Sequence, residues 1–228
     1  MNSISSFHFI FVAAAGLGLA LSACGPGASS PPPGADAFLL LPGDYSEGTT
    51  IEDLEARFGK ANARKEAGPD PHIVLFPDDP SRRAYVRFHG GEYSGILASI
   101  SVKDPASLWR GKHGVHVGMS LETVRKLNGK PFNLYGFDPA QRALVRDSWS
   151  PSMGPDDDAL GAFDVAEGDR LYFEVEFGIG AVSGVKTDAS SLPSYEQFSS
   201  EDPRFGPMKI PLVVTAISAS SSLDDEWQ

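Results

Sequence analysis

Apolar residues recur along the chain in two rhythms. In Leu171-Tyr172-Phe173-Glu174-Val175-Glu176-Phe177 the odd positions are all apolar, and Glu174 and Glu176 occupy even ones. Period two with one polar side predicts a half-buried antiparallel strand. Ala84, Val86 and Phe88 alternate in the same way within Arg83-Ala84-Tyr85-Val86-Arg87-Phe88. Further strand-like runs cover Ile73 to Phe76, Ile96 to Val102, Phe132 to Tyr135, Ala143 to Trp149 and Leu212 to Ile217. Turn signals such as Asp78-Asp79-Pro80 and His89-Gly90-Gly91 separate them.

The second rhythm is helical. Ile51 and Leu54 lie three apart, as do Leu121, Val124 and Leu127, which puts each set on one helix face. Thr50 and Ser120 precede them as N-cap types, whose hydroxyls accept from an otherwise unpaired N–H of the first turn. Glu52 and Glu122 then sit near the positive end of the helix dipole. Gly59 and Gly129 are the expected left-handed stops. Each segment reads as a capped helix of about two turns.

These two helices are copies of one pattern. At an offset of 70 residues, Gly48 to Lys60 aligns with Gly118 to Lys130 without a gap, with four identities and three conservative matches. Strand-like runs follow each helix, so the expected fold class is α+β. It consists of two tandem repeats, each a short helical segment packed on a small antiparallel β-sheet. The corresponding division is 38–112 for the first repeat and 113–217 for the second, which carries inserted loops. Residues 218–228 then form a polar, acidic tail expected to be disordered. Whether the repeats share one sheet or form two, joined by Asp104 to Lys112, is not decided by spacing.

The chain start follows different rules. Phe7 to Leu21 is an apolar run of 15 residues broken only by His8 and glycines, too short to span a membrane as a helix and suited to a signal-peptide core. The following Leu21-Ser22-Ala23-Cys24 resembles the bacterial lipobox, and Cys24 is the only cysteine in the chain. The resemblance implies a lipoprotein signal peptide over 1–23 and lipid attachment (palmitate-type acyl chains) at Cys24. Gly25, not Asp, follows the cysteine, which implies an outer-membrane address facing the periplasm. Residues 24–37 contain Gly25-Pro26-Gly27-Ala28-Ser29-Ser30-Pro31-Pro32-Pro33-Gly34, a composition that buries no core and reads as a tether reaching up to about 40 Å.

Gly118-Met119-Ser120-Leu121-Glu122-Thr123-Val124-Arg125-Lys126-Leu127-Asn128-Gly129-Lys130-Pro131-Phe132 resembles the signature of the SmpA/OmlA (BamE-like) envelope lipoproteins. The same small fold occurs in tandem in β-lactamase inhibitor protein-like domains. The resemblance implies an envelope location and a non-enzymatic protein-binding or scaffolding role, with an envelope protein as partner and the membrane engaged through the N-terminal lipid. It supplies no binding residue. Aromatic residues, over-represented at interface hot spots, supply the candidates Tyr135, Phe137 and Trp149, with Trp109 and Trp227 as further exposed-aromatic candidates; the alternative is that these rings fill the cores of the two repeats, above all Trp149, which ends a strand-like run.

Composition narrows the remaining classes. With 30 acidic and 19 basic residues among 228, net charge is −11, which argues against nucleic-acid binding through phosphates. One cysteine excludes an internal disulfide framework and a thiolate-only metal site. Past residue 24 the histidines are His72, His89, His113 and His116, with no Gly-x-Ser-x-Gly elbow and hence no triad. His113 and His116 resemble half a zinc site without a third ligand. Gly178-Ile179-Gly180 lacks the third glycine and following helix of a dinucleotide loop, and no P-loop is present.

Asp156 to Glu167 offers carboxylates at positions 1, 3, 9 and 12 of a calcium loop and Gly161 at 6. Leu160 at position 5, however, has no oxygen to give, so an acidic surface loop is the simpler reading. No catalytic residue, metal or cofactor is expected. The alternative is an enzyme or small-ligand-binding periplasmic protein whose site is assembled from dispersed residues.

Overall fold

The computed structural model describes residues 39–90, 93–145, 149, 171–180, 192–194, 196–206 and 210–221. Both predicted helices form, and for the predicted reason. Thr50 Oγ1 accepts from the Asp53 N–H at 3.2 Å while Asp53 Oδ2 accepts from the Thr50 N–H at 2.9 Å. That reciprocal capping box starts α1, Ile51–Phe58. Ser120 Oγ accepts from the Thr123 N–H at 3.2 Å and starts α2, Leu121–Asn128. Gly129 is left-handed, as expected, with φ 82° and ψ −8°. Gly59 differs: its φ is 87° but its ψ is 138°. It extends the chain directly into a 3-10 turn over Lys60–Asn62, so positive φ is needed there without a left-handed cap.

The strands are β1 Ala63–Glu66, β2 His72–Leu75, β3 Ala84–Phe88, β4 Leu97–Val102, β5 Asn133–Leu134, β6 Arg142–Val145, β7 Leu171–Ile179, β8 Phe198–Ser199 and β9 Leu212–Ser221. Seven of them make one sheet in the order β1-β2-β3-β4-β9-β7-β6, and β5 pairs with β8 separately. Every pairing within these sheets is antiparallel. The question left open by spacing is thus answered: β4 and β9 join both halves of the chain in one sheet, with Ser99 opposite Ser220 and Ser101 opposite Ser218.

The stretch expected to be a disordered tail from Ser218 needs correction. Ser218 to Ser221 continue β9, paired with β4 on one side and β7 on the other. Small residues hid the strand because they add little to an apolar pattern, yet Ala219 is fully buried. A bulge shortens the match near the other end of β9. Glu176 faces Ala216 and Phe177 faces Val214, leaving Thr215 as the extra residue. Gly178 accommodates it, since a Cβ there would come within 2.7 Å of Thr215 Cγ2.

One face of the sheet carries the core. Ile73, Leu75, Val86, Ile100, Phe173, Phe177 and Ile217 pack there with Ile51 and Leu54 of α1 and Leu121 and Val124 of α2 in a single cluster. Aromatic rings fill the space between: Phe132 meets Trp149 edge-on with centroids 4.9 Å apart, and Trp149 stacks on Phe173 at 6.0 Å. Such pairs add about 0.5–1.5 kcal/mol beyond the area they bury.

Candidate functional site

Strict alternation sends the other half of each strand to the opposite face, and the register connects these residues into rows. One row runs Arg64, Val74, Tyr85, Ser101, Ser218, Glu174 across β1, β2, β3, β4, β9 and β7. A second runs Arg87, Ser99, Ser220, Tyr172 across β3, β4, β9 and β7, and a third joins Leu144, Glu176 and Ala216. Val74 and Ala98 are well covered yet do not belong to the core cluster. Small side chains occupy the middle of this open face at β4 and β9, with Tyr85 on one side and Tyr172 on the other.

The two sides of the face differ in the residues they carry. Around Tyr85 lie Arg64, His72, Arg83, Arg87 and Lys103. The Lys103 ammonium stands 4.2 Å from the Tyr85 ring centroid and His72 sits 5.9 Å from that ring. Arg64, Glu66, His72, Val74, Arg83 and Tyr85 border a shallow hollow of about 390 Å³. The guanidinium groups are held in place: Arg64 Nε donates to Glu66 Oε1 at 2.6 Å, and Arg83 donates to Pro77 O at 2.7 Å and to Asp104 Oδ1 at 3.4 Å. Arg87 donates to Asp70, and that hydrogen bond holds the Asp70 carboxyl below the usual aspartate range.

The far side is acidic. Glu174 Oε2 accepts from Ser220 Oγ at 2.7 Å and Ser218 Oγ at 3.2 Å, which fixes the carboxylate over the β7–β9 pair. Glu176 Oε1 accepts from Thr215 Oγ1 at 3.0 Å and Oε2 from Arg142 at 3.2 Å. Chemically the surface offers a row of short hydroxyl-bearing residues, of which Ser220 is buried, between a flank of arginines paired with Glu66, Asp70 and Asp104 and a flank bearing Glu174 and Glu176.

The aromatic candidates fall elsewhere. Trp149 and Phe137 are each only 2% exposed, so neither ring is available as a partner contact. Phe137 stacks on Phe198 at 5.7 Å, and Trp149 Nε1 donates to Phe173 O at 3.3 Å. Trp109 is likewise buried, with Nε1 donating to Arg82 O at 2.7 Å. Burial of a large ring with its N–H satisfied outweighs its general preference for interfaces. Tyr135 stays exposed, its backbone bonded in both directions to Leu144. Trp227, Cys24 and the Asp156 to Glu167 stretch lie outside the described residues.

His116 Nδ1 contacts Gly114 O at 2.9 Å, and no group of three His, Cys, Asp or Glu suited to a metal occurs among the described residues. Gly178 and Ile179 belong to β7. The sequence reading passed over Tyr85, Ser99, Ser101, Ser218, Ser220 and Tyr172. Their signal was present in the even positions of β7 and in the two Ser-x-Ser pairs of β4 and β9.

A pocket of about 460 Å³ opens between α2 and β9, lined by Leu121, Arg125, Ser200, Phe205 and Leu212 among others. No helix among the described residues is long and apolar enough to cross a membrane. Comparison with protein-family models, with curated proteins and with solved structures found no match to this chain.

Proposed function

We propose that this chain is a lipid-anchored protein of the bacterial cell envelope, held at the outer membrane through Cys24. It acts as a non-enzymatic module that binds an envelope protein. The open face of the sheet carries the reading. It spans both halves of the chain, and its small centre between Tyr85 and Tyr172 leaves room for a protruding element of a partner. Its flanks differ, with ion-paired arginines around Tyr85 and the carboxylates of Glu174 and Glu176 on the Tyr172 side, which gives a bound partner a direction.

Tandem BamE-like units account for the order of elements. Each half contributes a capped helix of eight residues, Ile51–Phe58 and Leu121–Asn128. The half-sheet β2-β3-β4 meets β9-β7-β6 as its mirror in sequence order. Under this reading the two units dock edge to edge along β4 and β9, and the partner sits across the seam. The apolar pocket beside α2 is where the second reading, a small-ligand-binding protein, would hold its ligand.

The test is a pull-down from the native envelope with a photo-crosslinking residue in place of Tyr85, a ring for a ring opposite Ser101, alongside a Cys24→Ala variant. Recovery of one defined envelope protein through position 85, lost or reduced with Cys24→Ala, is the expected result. An empty pull-down from protein that is intact and folded at the membrane would refute the binding role.

A further inference from the structure

Leu39 is the first described residue, and the short segment that follows it builds a second surface. Leu39 to Leu41 runs parallel to Trp109 to Gly111, with Leu40 opposite Arg110: the Leu41 N–H donates to Arg110 O at 2.8 Å and the Arg110 N–H to Leu39 O at 2.9 Å. Alternation splits this short ladder into two sides. Leu39, Leu41 and Trp109 face inward at 3%, 2% and 0% exposure, whereas Leu40 and Leu108 face out at 45% and 49%. Those two are the most exposed of the large apolar side chains among the described residues.

Arg110 is the bridge partner of Leu40 and stands on the same outward side. Its Nη1 donates to Ser107 O at 2.9 Å and Trp109 O at 2.7 Å, and no carboxylate among the described residues pairs with it. From Pro105 to Leu121 the chain contains Arg110, Lys112, His113 and His116 and not one Asp or Glu. The seam thus sets two exposed leucines beside the Arg110 guanidinium, whose Nη1 hydrogen bonds go to backbone carbonyls. Local charge is what an approaching surface meets, because screening at physiological salt cuts off the rest beyond about 8 Å.

We propose that Leu40, Leu108 and Arg110 form a membrane-contacting edge, the two leucines entering the headgroup boundary and the guanidinium meeting lipid phosphates. The proposal rests on the reading of Cys24 as the lipid attachment point. With Cys24 as the attachment point, the seam at Leu39 is the described part of the chain closest to it in sequence. Contact then becomes an intramolecular event, and two leucines with one arginine suffice because the tether already supplies a high effective concentration. Docking at this seam would also set the direction in which the open sheet face points.

The test uses the full lipidated chain. Because the Cys24 thiol is consumed by acylation on this reading, Leu108→Cys gives a single free thiol for a polarity-sensitive fluorophore, and Leu127→Cys on α2 gives a matched control. Both proteins are reconstituted on vesicles of phosphatidylcholine with about one quarter phosphatidylserine, an anionic surface for the guanidinium. The expected result is a blue-shifted emission at 108, quenched by nitroxide-labelled lipid, with no shift at 127. Adding Leu40→Asp and Arg110→Glu to the 108-labelled chain should remove the shift while the melting temperature is kept. Flotation with the vesicles reports the anchor separately. A chain that does not float overturns the anchor and the edge together, whereas a chain that floats with equal emission at both positions overturns the edge alone.

Discussion

On β7, Phe173 lies against Trp149 with ring centroids 6.0 Å apart, while its neighbours Tyr172 and Glu174 turn the other way beside Ser220 and Ser218. The same contrast repeats on β4, where Ile100 and Val102 are fully buried and Ser99 and Ser101 are not. The inner face is large, aromatic and closed by two helices; the outer face is small and hydroxylated at its centre and charged at both sides. Apolar burial is the main source of stability in such a fold, whereas exposed ion pairs contribute little. The inner face therefore holds the sheet together, and the outer one contributes little to stability.

Substitutions on the two faces should separate accordingly. Phe173→Ala should cost about 3–5 kcal/mol in a chemical denaturation series, since it opens a cavity beneath Trp149. A loss under about 1 kcal/mol would mean that the inner face is not the main support. Gly111→Ala probes the same ring from the opposite side. Gly111 has ordinary extended dihedrals, but a Cβ there would land on the Phe173 ring, and the overpacking should cost about 1–3 kcal/mol. Combining it with Phe173→Leu should recover part of that loss, which a purely backbone effect of the glycine would not allow.

Acidification probes the charged surface. Hydrogen bonds from Arg57 hold the Asp44 carboxyl below the usual aspartate range, the bond from Arg87 does so for Asp70, and bonds from Ser81 and then Arg82 do so for Asp79. In each case the unfolded chain takes up its proton at higher pH than the folded one. The stabilisation is complete well above pH 4 and disappears as pH falls through the folded values. Melting temperature should be level from pH 7 to 5 and decline below about pH 4, less so in high salt. A decline already complete at pH 5 would require another titrating group. Smallest of all, Tyr172→Ala on the outer face should stay within about 0.5 kcal/mol of the parent.

Much of the inner face was legible because it follows a period. The caps Thr50 and Ser120, the strand through Phe173 and Phe177 and the stop at Gly129 all came from residue type and spacing. β1 was missed because Ala63-Arg64-Lys65-Glu66 has no apolar alternation; as an edge strand it pairs only with β2, and its charges keep further strands away. The end of β9 was missed because pairing on both sides, and not its serines, makes it a strand.

The outer face was legible only in part. Glu174 and Glu176 marked a polar side, but the joining of β4 to β9 is a long-range pairing that local patterns do not carry. For Phe137 and Trp149 residue type allowed an interface or a core position, and packing decides for the core: Phe137 stacks on Phe198 and Trp149 on Phe173.

The separation of the two faces is tested most directly at Ser101, opposite Ser218 in the middle of the sheet. Ser101→Arg fills the small centre without touching the core. Thermal melting and native-envelope crosslinking measured on the same preparation should give an unchanged melting temperature together with loss of the captured partner. Capture equal to the parent protein at an unchanged melting temperature would contradict the assignment of binding to the open face.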